Sequence, residues 1–564
     1  MKKIYYFLFF VIVLSSGCND GLLDTRPLDG IGSNFMWKTS NDADLGVAAI
    51  YNAVRSKEAF LNYGLNDGFT PIAFIMNSGS SFDEYRQYKF CINTATSSES
   101  IFKQKWSDLY KGVVRANDAI ANLPKIEAID SIKRETLLAE SKFLRALFYF
   151  DLLSFYSGHD KRDPGVPLYI EPANYEDAYL PRSNPGQIRA LMIHDLEEAI
   201  PHLPFTATKG RTNQVAARML LGKVYLYNGD WLKASNVFGG IISDNIAKGN
   251  PYQLYNDYGK LFQLAGEDNK ESIFVISNLP IQDYGGWADL LYSNRSGNCA
   301  GTNTLIPTTY LVDSYQKKDG SDFDWTVYKA ANPGFSWDNK TEVDKLFATR
   351  DPRLEASIIR PWGLFVGTSN KTFEFRPTYD AKIPPAVTYE CMRTSNSSND
   401  HYSWRKFVNV GNETTIRRSS PTDWIIMRYA DLLLLFAEAK NEAEGPTDSV
   451  HWAIDQIRQR LTVNMPKIKT GISQEEMRNS IRNERAWELA GEGHRYGDYR
   501  RWYKYDPTFD MTTLNHVIKG FRGNAVNPQG GTRVFEIRNW QFAIPQSEID
   551  LNPYLEPQNT GWEN

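Results

Sequence analysis

The 564-residue chain holds four cysteines, Cys18, Cys91, Cys299 and Cys391. Cys18 belongs to the N-terminal leader, and the other three are odd in number and widely spaced. That admits at most one disulfide and excludes a zinc framework of closely spaced ligands. The seven histidines (159, 194, 202, 401, 451, 494 and 516) form no H-E-x-x-H and no other metal-ligand pairing. No G-x-S-x-G nucleophile elbow occurs. Gly491-x-Gly493 continues only at Gly497, one residue too far for a dinucleotide fingerprint. Two opposed carboxylates would suit a glycosidase, but spacing nominates no pair among 67 acidic residues. The residues therefore ask for no catalytic group, no metal and no cofactor. A basic excess is lacking as well: the formal charge is −4, and losing Lys2 and Lys3 with a leader takes it to −6. Nucleic acid and an anionic membrane face are poor partners for such a chain.

Long apolar runs are missing except for Ile4–Leu14. Eleven residues are too few to cross a bilayer as a helix but suit a signal-peptide core. Lys2 and Lys3 precede the run, and Ser15-Ser16-Gly17 lead from it directly into Cys18. This order reads as a lipoprotein signal over 1–17, with Cys18 the lipidated first residue of the mature chain. Ser15 stands where leucine is commonest. Two or three acyl chains give lasting attachment where one does not. Residues 18–40 then form a tether that holds the body off the membrane.

What the chain has in quantity is aromatic: 13% of residues, including 14 Trp and 31 Tyr. Such a supply fills a large core and leaves rings for a surface. Helical periodicity marks Asp42–Arg55 and Ile101–Leu123, the latter with Trp106, Leu109, Val113 and Ala116 in one stripe. Phe143–Tyr156 is apolar except at Arg145, Asp151 and Ser154, which predicts a helix buried nearly all round. After Ile188–Leu203, the residues Leu221, Gly222, Tyr225, Ala234 and Phe238 reproduce the L-G-x2-Y…A-x3-F spacing of a tetratricopeptide (TPR) helix pair. The small residues let two helices approach, and Phe238 and Tyr225 fill the space between them. From 244 to 420 the period fades into Gly, Asn, Ser and Pro interspersed with tryptophans, a kind of stretch that usually carries function. Helices resume over Trp424–Glu444 and continue to the end of the scaffold, and from 503 on the tail reads as extended. The predicted organisation is a scaffold over 41–243, an irregular aromatic-rich lobe over 244–420, and C-terminal helices and tail over 421–564.

The most informative stretch is S-Q-E-E-M-R-N-S-I-R-N-E-R-A-W-E-L-A-G-E-G-H-R-Y-G-D-Y-R-R-W, Ser473–Trp502. Ser473 and Glu476 form a capping box, Ile472 and Met477 a hydrophobic staple, and Gly491 and Gly493 stop the helix. Five arginines and four carboxylates lie between Arg482 and Arg501. Near-balance of this kind predicts bidentate pairing that locks the helix end to a neighbour, with Arg485, Glu488, Glu492 and Arg495 structural.

Several segments, taken in order, resemble the SusD/RagB family of outer-membrane nutrient-binding lipoproteins. They are the lipobox at Cys18, W-S-D-L-Y-K-G-V-V-R-A-N-D (106–118), A-E-S-K-F-L-R-A-L-F-Y-F (139–150) and R-T-N-Q-V-A-A-R-M-L-L-G-K-V-Y-L-Y (211–227). M-R-Y-A-D-L-L-L-L-F-A-E-A (427–439), the 473–502 stretch, A-I-P-Q-S-E-I (543–549) and N-P-Y-L-E-P-Q-N-T-G-W (552–562) follow. The resemblance implies a mainly α, TPR-like scaffold with a loop-rich ligand-binding lobe. It also implies a place on the outer face of the outer membrane beside a TonB-dependent transporter of the SusC type, and an oligosaccharide ligand. A peptide-binding branch of the same family and a lipid-anchored hydrolase are the alternatives.

Sugar binding calls for flat rings against C–H faces, with polar side chains for hydroxyls. The irregular stretches supply Asp83, Tyr85 and Arg86 in one place, and Tyr284, Trp287 and Tyr292 in another, followed by Trp325 and Trp337. Packing within the lobe and display to a ligand both remain open for each ring. Gly285-Gly286 favour display of Trp287. Trp106, Trp487 and Trp502 lie in helical segments and belong to the core.

Overall fold

Helix α1 (Ser40–Val54) starts at a reciprocal cap, in which Thr39 accepts from the Asp42 N–H and the Asp42 carboxylate accepts from Thr39. The structure, a computed structural model, describes residues 36–563 except 77–86, 158–163, 173–177, 294–300, 368–369, 378–388, 392–399, 412, 414–417, 507–508, 510–514, 516 and 524–531, and the side chains of 389–391. Cys18, Asp83, Tyr85 and Arg86 lie outside the described residues.

Helices α2 (Ser100–Asn122), α3 (Ser131–Tyr156), α4 (Pro185–Ala199), α5 (Gln214–Asn228) and α6 (Trp231–Ala247) follow, each laid against its predecessor. Every side chain of α3 from Phe143 to Leu152 is buried, as the missing polar face requires. Its three buried charges are paired, Glu140 with Arg211 at 2.6 Å, Arg145 with Asp195 at 2.7 Å and Asp151 with Lys105 at 2.9 Å. The TPR spacing performs as predicted. A Cβ on Gly222 would stand 2.4 Å from the Phe238 ring, so only glycine lets α5 and α6 approach this closely. Phe238 is fully buried between them, while Tyr225 is half-buried at the margin.

The chain leaves the helical stack after α6 and returns at α7 (Tyr429–Glu444), which packs directly on α6. The aromatic-rich lobe is thus an insertion between two neighbouring helices. Helices α8 (Asp448–Arg458), α9 (Gln474–Leu489) and α10 (Arg495–Tyr505) complete the scaffold. The α9 cap is the expected box, with Ser473 and Glu476 bonded both ways at 3.2 and 2.7 Å. Gly491 and Gly493, at φ +82° and +88°, turn the chain out of the helix. Trp106, Trp487 and Trp502 are all buried.

Two expectations about regular structure are corrected. Trp424–Arg428 is an antiparallel strand paired with Ser272–Ile276, and the helix begins only at Tyr429. Its Ile425 and Ile426 suit a pleated surface, and the partner strand lies about 150 residues away, beyond the reach of local periodicity. The tail is not simply extended: the helix before it runs to Tyr505, and Ile537–Trp540, Gln546–Leu551 and Pro553–Leu555 form helical turns. Phe542, Ala543, Ile544 and Trp562 are buried, and Asn559 donates to the carbonyls of Tyr156 and Phe542 at 2.9 and 2.8 Å.

The lobe itself is built of short ladders and one- or two-turn helices. Ala73–Ile75 pairs with Leu305–Pro307, and Ile358–Ile359 with Ser403–Trp404. One hydrophobic core runs through scaffold and lobe, including Trp404 and Tyr292 from the lobe. Cys91 is buried as a thiol. Among the described residues no helix is long and apolar enough to cross a membrane.

Candidate ligand-binding site

The charged stretch of α9 comes first, because it fixes the lobe in place. Glu484, Glu488 and Glu492 reach from the end of α9 toward the lobe and the returning strand. Glu488 pairs with Arg428, Arg460 and Arg353 at 2.8, 2.7 and 3.2 Å. Glu484 takes Arg353 and Arg458, and Glu492 takes Arg428 and Lys406. Glu271 and Asp351 close the network through Arg428, Arg460 and Arg353. Five cations meet five carboxylates, and none of these side chains is more than 3% exposed. Burial works against ionisation of Glu488, but the three guanidinium groups hold it well below its ordinary range. A second cluster joins Arg485 to Asp498 and Asp431, and Arg501 to Asp498 and Glu438. Buried and paired with one another, these charges present no open face to a ligand. The structural reading of Arg485, Glu488 and Glu492 holds. Arg495 likewise turns inward, donating to the Arg482 carbonyl.

The predicted ring residues separate into three situations. Tyr292 is 1% exposed, its hydroxyl donates to the Gly491 carbonyl at 2.7 Å, and its ring packs on Trp404 and Phe407. It offers no face to a ligand; it is core, because the short helix Ala288–Tyr292 turns it inward.

Tyr284 is half-exposed, and Trp287 is half-buried beside it. The glycines before Trp287 serve close packing rather than display. A Cβ on Gly285 would stand 2.1 Å from Ser419 Cα, and Gly286 exchanges backbone hydrogen bonds with Ser420 at 2.8 and 3.1 Å. The Trp287 ring is already engaged by cations, with Lys57 Nζ 4.7 Å and Arg418 Cζ 4.6 Å from its centroid. Arg55 donates to the carbonyls of Ser277 and Tyr284 and fixes the loop. Sequence reasoning missed these three basic residues, since they come from distant segments.

Trp325 and Trp337 belong to a partly open group of five rings in the lobe. Their rings meet edge-on at 5.6 Å, and Phe335 bridges them at 5.7 and 5.1 Å. Phe323 and Tyr328 flank Trp325, and all five rings are half-buried. The helix Trp325–Ala331, capped by Asp324, has no buried residue and carries Val327 at 66% exposure. Beneath the group, Trp325 Nε1 donates to Asp313 at 2.8 Å, Arg350 lies 3.8 Å over Phe323, and Trp337 packs on Phe521. Burial pushes the Asp313 carboxyl up to about 6. Asp338, Arg522 and Asn339 stand at the rim, with Arg522 and Asp338 paired. A signal for Phe323, Tyr328 and Phe335 was present in the sequence: five rings fall within fifteen residues. Among the described residues no ring contact joins this group to Trp287. No group of three or more His, Cys, Asp or Glu among them is placed to hold a metal.

A rigid platform of rings with polar groups at its rim suits a ligand that presents flat C–H faces and hydroxyls. Comparison with known proteins points the same way. The family model described as "SusD family" matches residues 270–562, and one described as "Starch-binding associating with outer membrane" matches 41–226. A SusD-like protein of Formosa agariphila, P2, is 26% identical over the whole of both chains. A SusD-like carbohydrate-binding protein from Bacteroides fragilis superposes with a TM-score of 0.75 at 25% identity, covering 92% of this chain and 99% of its own. A laminarin-binding SusD-like protein shares the fold with a TM-score of 0.63 at 22% identity, over 93% and 100% of the two chains.

Proposed function

The chain belongs to the SusD family, and from that premise we propose that it captures oligosaccharide without cleaving it and passes it to a TonB-dependent transporter of the SusC type at the outer membrane. Lipid on Cys18 holds it there. The ligand lies across the rings of Trp325 and Trp337, with the exposed edge of Tyr284 and the Trp287 corner as a further contact. Asp83, Tyr85 and Arg86 are proposed to complete the site from their own segment. One observation carries this reading: among the described residues of the predicted set, Trp325 and Trp337 are the ring pair in contact, and both are half-buried on a lobe tied to the scaffold by buried ion pairs. A preordered platform loses little freedom on binding.

Calorimetry against a panel of neutral oligosaccharides and peptides, with chromatography of the same mixtures, tests it. Saturable heat with an oligosaccharide and an unchanged elution profile is the expected result. Heat with peptides alone transfers the site to the peptide-binding reading, and shorter products overturn the non-catalytic one. Replacing Cys18 with Ala releases the chain from the membrane fraction if the anchor is there. Mild detergent extraction and pull-down recovers the transporter with it.

A further inference from the structure

Arg189 and Arg500, both partly buried, form no ion pair with a described carboxylate. They line a cavity where α3, α4, α5 and α10 converge, on the scaffold and away from the aromatic lobe. Phe150, Leu153, Met192 and Val224 form its apolar walls; Ser154, Ser157, Tyr227, Arg189, Arg500, Arg501 and Lys504 supply its polar ones. Among the described lining residues four are cationic and none is a carboxylate. Arg501 is compensated elsewhere, by Glu438 and Asp498. Arg500 has one protein hydrogen bond, a long one of 3.4 Å to the Ser157 carbonyl, and its buried Nε has no partner. Arg189 makes no ion pair with a described residue; Asp230 and Tyr505 act on it only through space. Burial lowers the pKa of both, the direction expected when a cation loses water without gaining a counter-charge.

The cavity offers about 100 Å3 to the centres of water molecules, room for several of them or for one four-oxygen ion. Guanidinium groups converging on such a space match the oxygens of sulfate, phosphate or carboxylate through paired N–H donors. We infer that this cavity is a binding site for a small oxyanion, held by Arg189 and Arg500 with the Ser154 hydroxyl. The ion either is free in the medium or is the acidic group of a sugar.

Sulfate stabilises folded proteins generally by exclusion from their surface, so a melting shift alone does not decide the matter. Calorimetry of the full chain with sodium sulfate, sodium phosphate and glucuronate, with sodium chloride and glucose as controls, does. Saturable heat is expected with at least one oxyanion and with neither control. Sulfate or phosphate binding without glucuronate binding assigns a free ion; glucuronate binding alone assigns an acidic sugar. Arg189→Gln, at a half-buried position that leaves the core intact, should weaken binding roughly tenfold or more, the scale of a lost charge-assisted hydrogen bond. Arg500→Gln should do the same, and circular dichroism checks that both variants are folded. Absence of saturable heat with all three oxyanions, or unchanged affinity in folded Arg189→Gln, overturns the proposal.

Discussion

Two regions of this molecule use charged and aromatic side chains in opposite ways. Around the end of α9, ten charges are balanced, almost wholly buried and paired at 2.5–3.2 Å. Around residues 323–337, five rings pack on one another yet remain half-open, with polar groups at the rim and Asp313 and Arg350 beneath. The first arrangement presents no open surface, so its work is to hold the lobe on the scaffold. The second has a core-like lower side and an open upper one, which is how a platform for a ligand is built. The difference teaches that a dense run of signature residues marks the joint of a fold as readily as its site.

The comparison breaks most sharply at Glu488. Removing one member of a buried network strands its partners, and Glu488→Ala should cost about 3–5 kcal/mol by leaving Arg428, Arg460 and Arg353 one carboxylate short. Urea unfolding measures it. A stability within about 1 kcal/mol of wild type, small by the standard of core charge deletions, would show that the joint is not held by these pairs.

Acidity probes the same contrast with a smaller effect. Glu488 and Glu492 are held below their ordinary values by their guanidinium and ammonium partners, so the stability they contribute is present above about pH 4.5 and lost on acidification. Asp67 and Glu140 run the other way, since burial raises both to about 7. Their contribution is complete below their unfolded values, near 4, and is lost as the pH rises through about 7. The melting temperature should therefore peak at about pH 4–5 and fall as the pH rises to about 7, with little further change above it. A steady climb from pH 5 to pH 8 contradicts that assignment.

At the lobe's other corner, Gly285→Ala tests whether the glycines serve packing. The added methyl meets backbone at Ser419, which cannot swing aside, and overpacking of this kind costs about 1–3 kcal/mol. If the variant melts like wild type, the close approach is not what the glycine is for.

Much of the scaffold was legible because its signals are local. The Ser473 box, the Gly222–Phe238 contact and the all-round burial of Phe143–Leu152 each depend on residues a few turns apart. Where the reading failed, the deciding partner was remote. Trp424–Arg428 is a strand because of Ser272–Ile276, and Gly285 is glycine because of Ser419. Tyr292 is core because a five-residue helix, too short to show a period, turns it toward Gly491. The same limit applies to Trp287, whose neighbours Lys57 and Arg418 lie far away in the chain. The ring cluster at 323–337 was half-read: its density was visible, its mutual packing was not.

The most direct test of the account sets stability against affinity in one substitution. Trp337→Ala removes a half-buried ring from the platform and touches none of the ion pairs. A stacked aromatic anchor is worth on the order of 1–3 kcal/mol, so oligosaccharide affinity should fall about tenfold or more. Melting should change far less than the roughly 3–5 kcal/mol a fully buried tryptophan would cost. Calorimetry and thermal unfolding on the same preparation give both numbers. Weakened binding with near-normal melting is the predicted outcome; normal binding with a sharply lowered melting temperature would make Trp337 a core residue and remove the platform from the site.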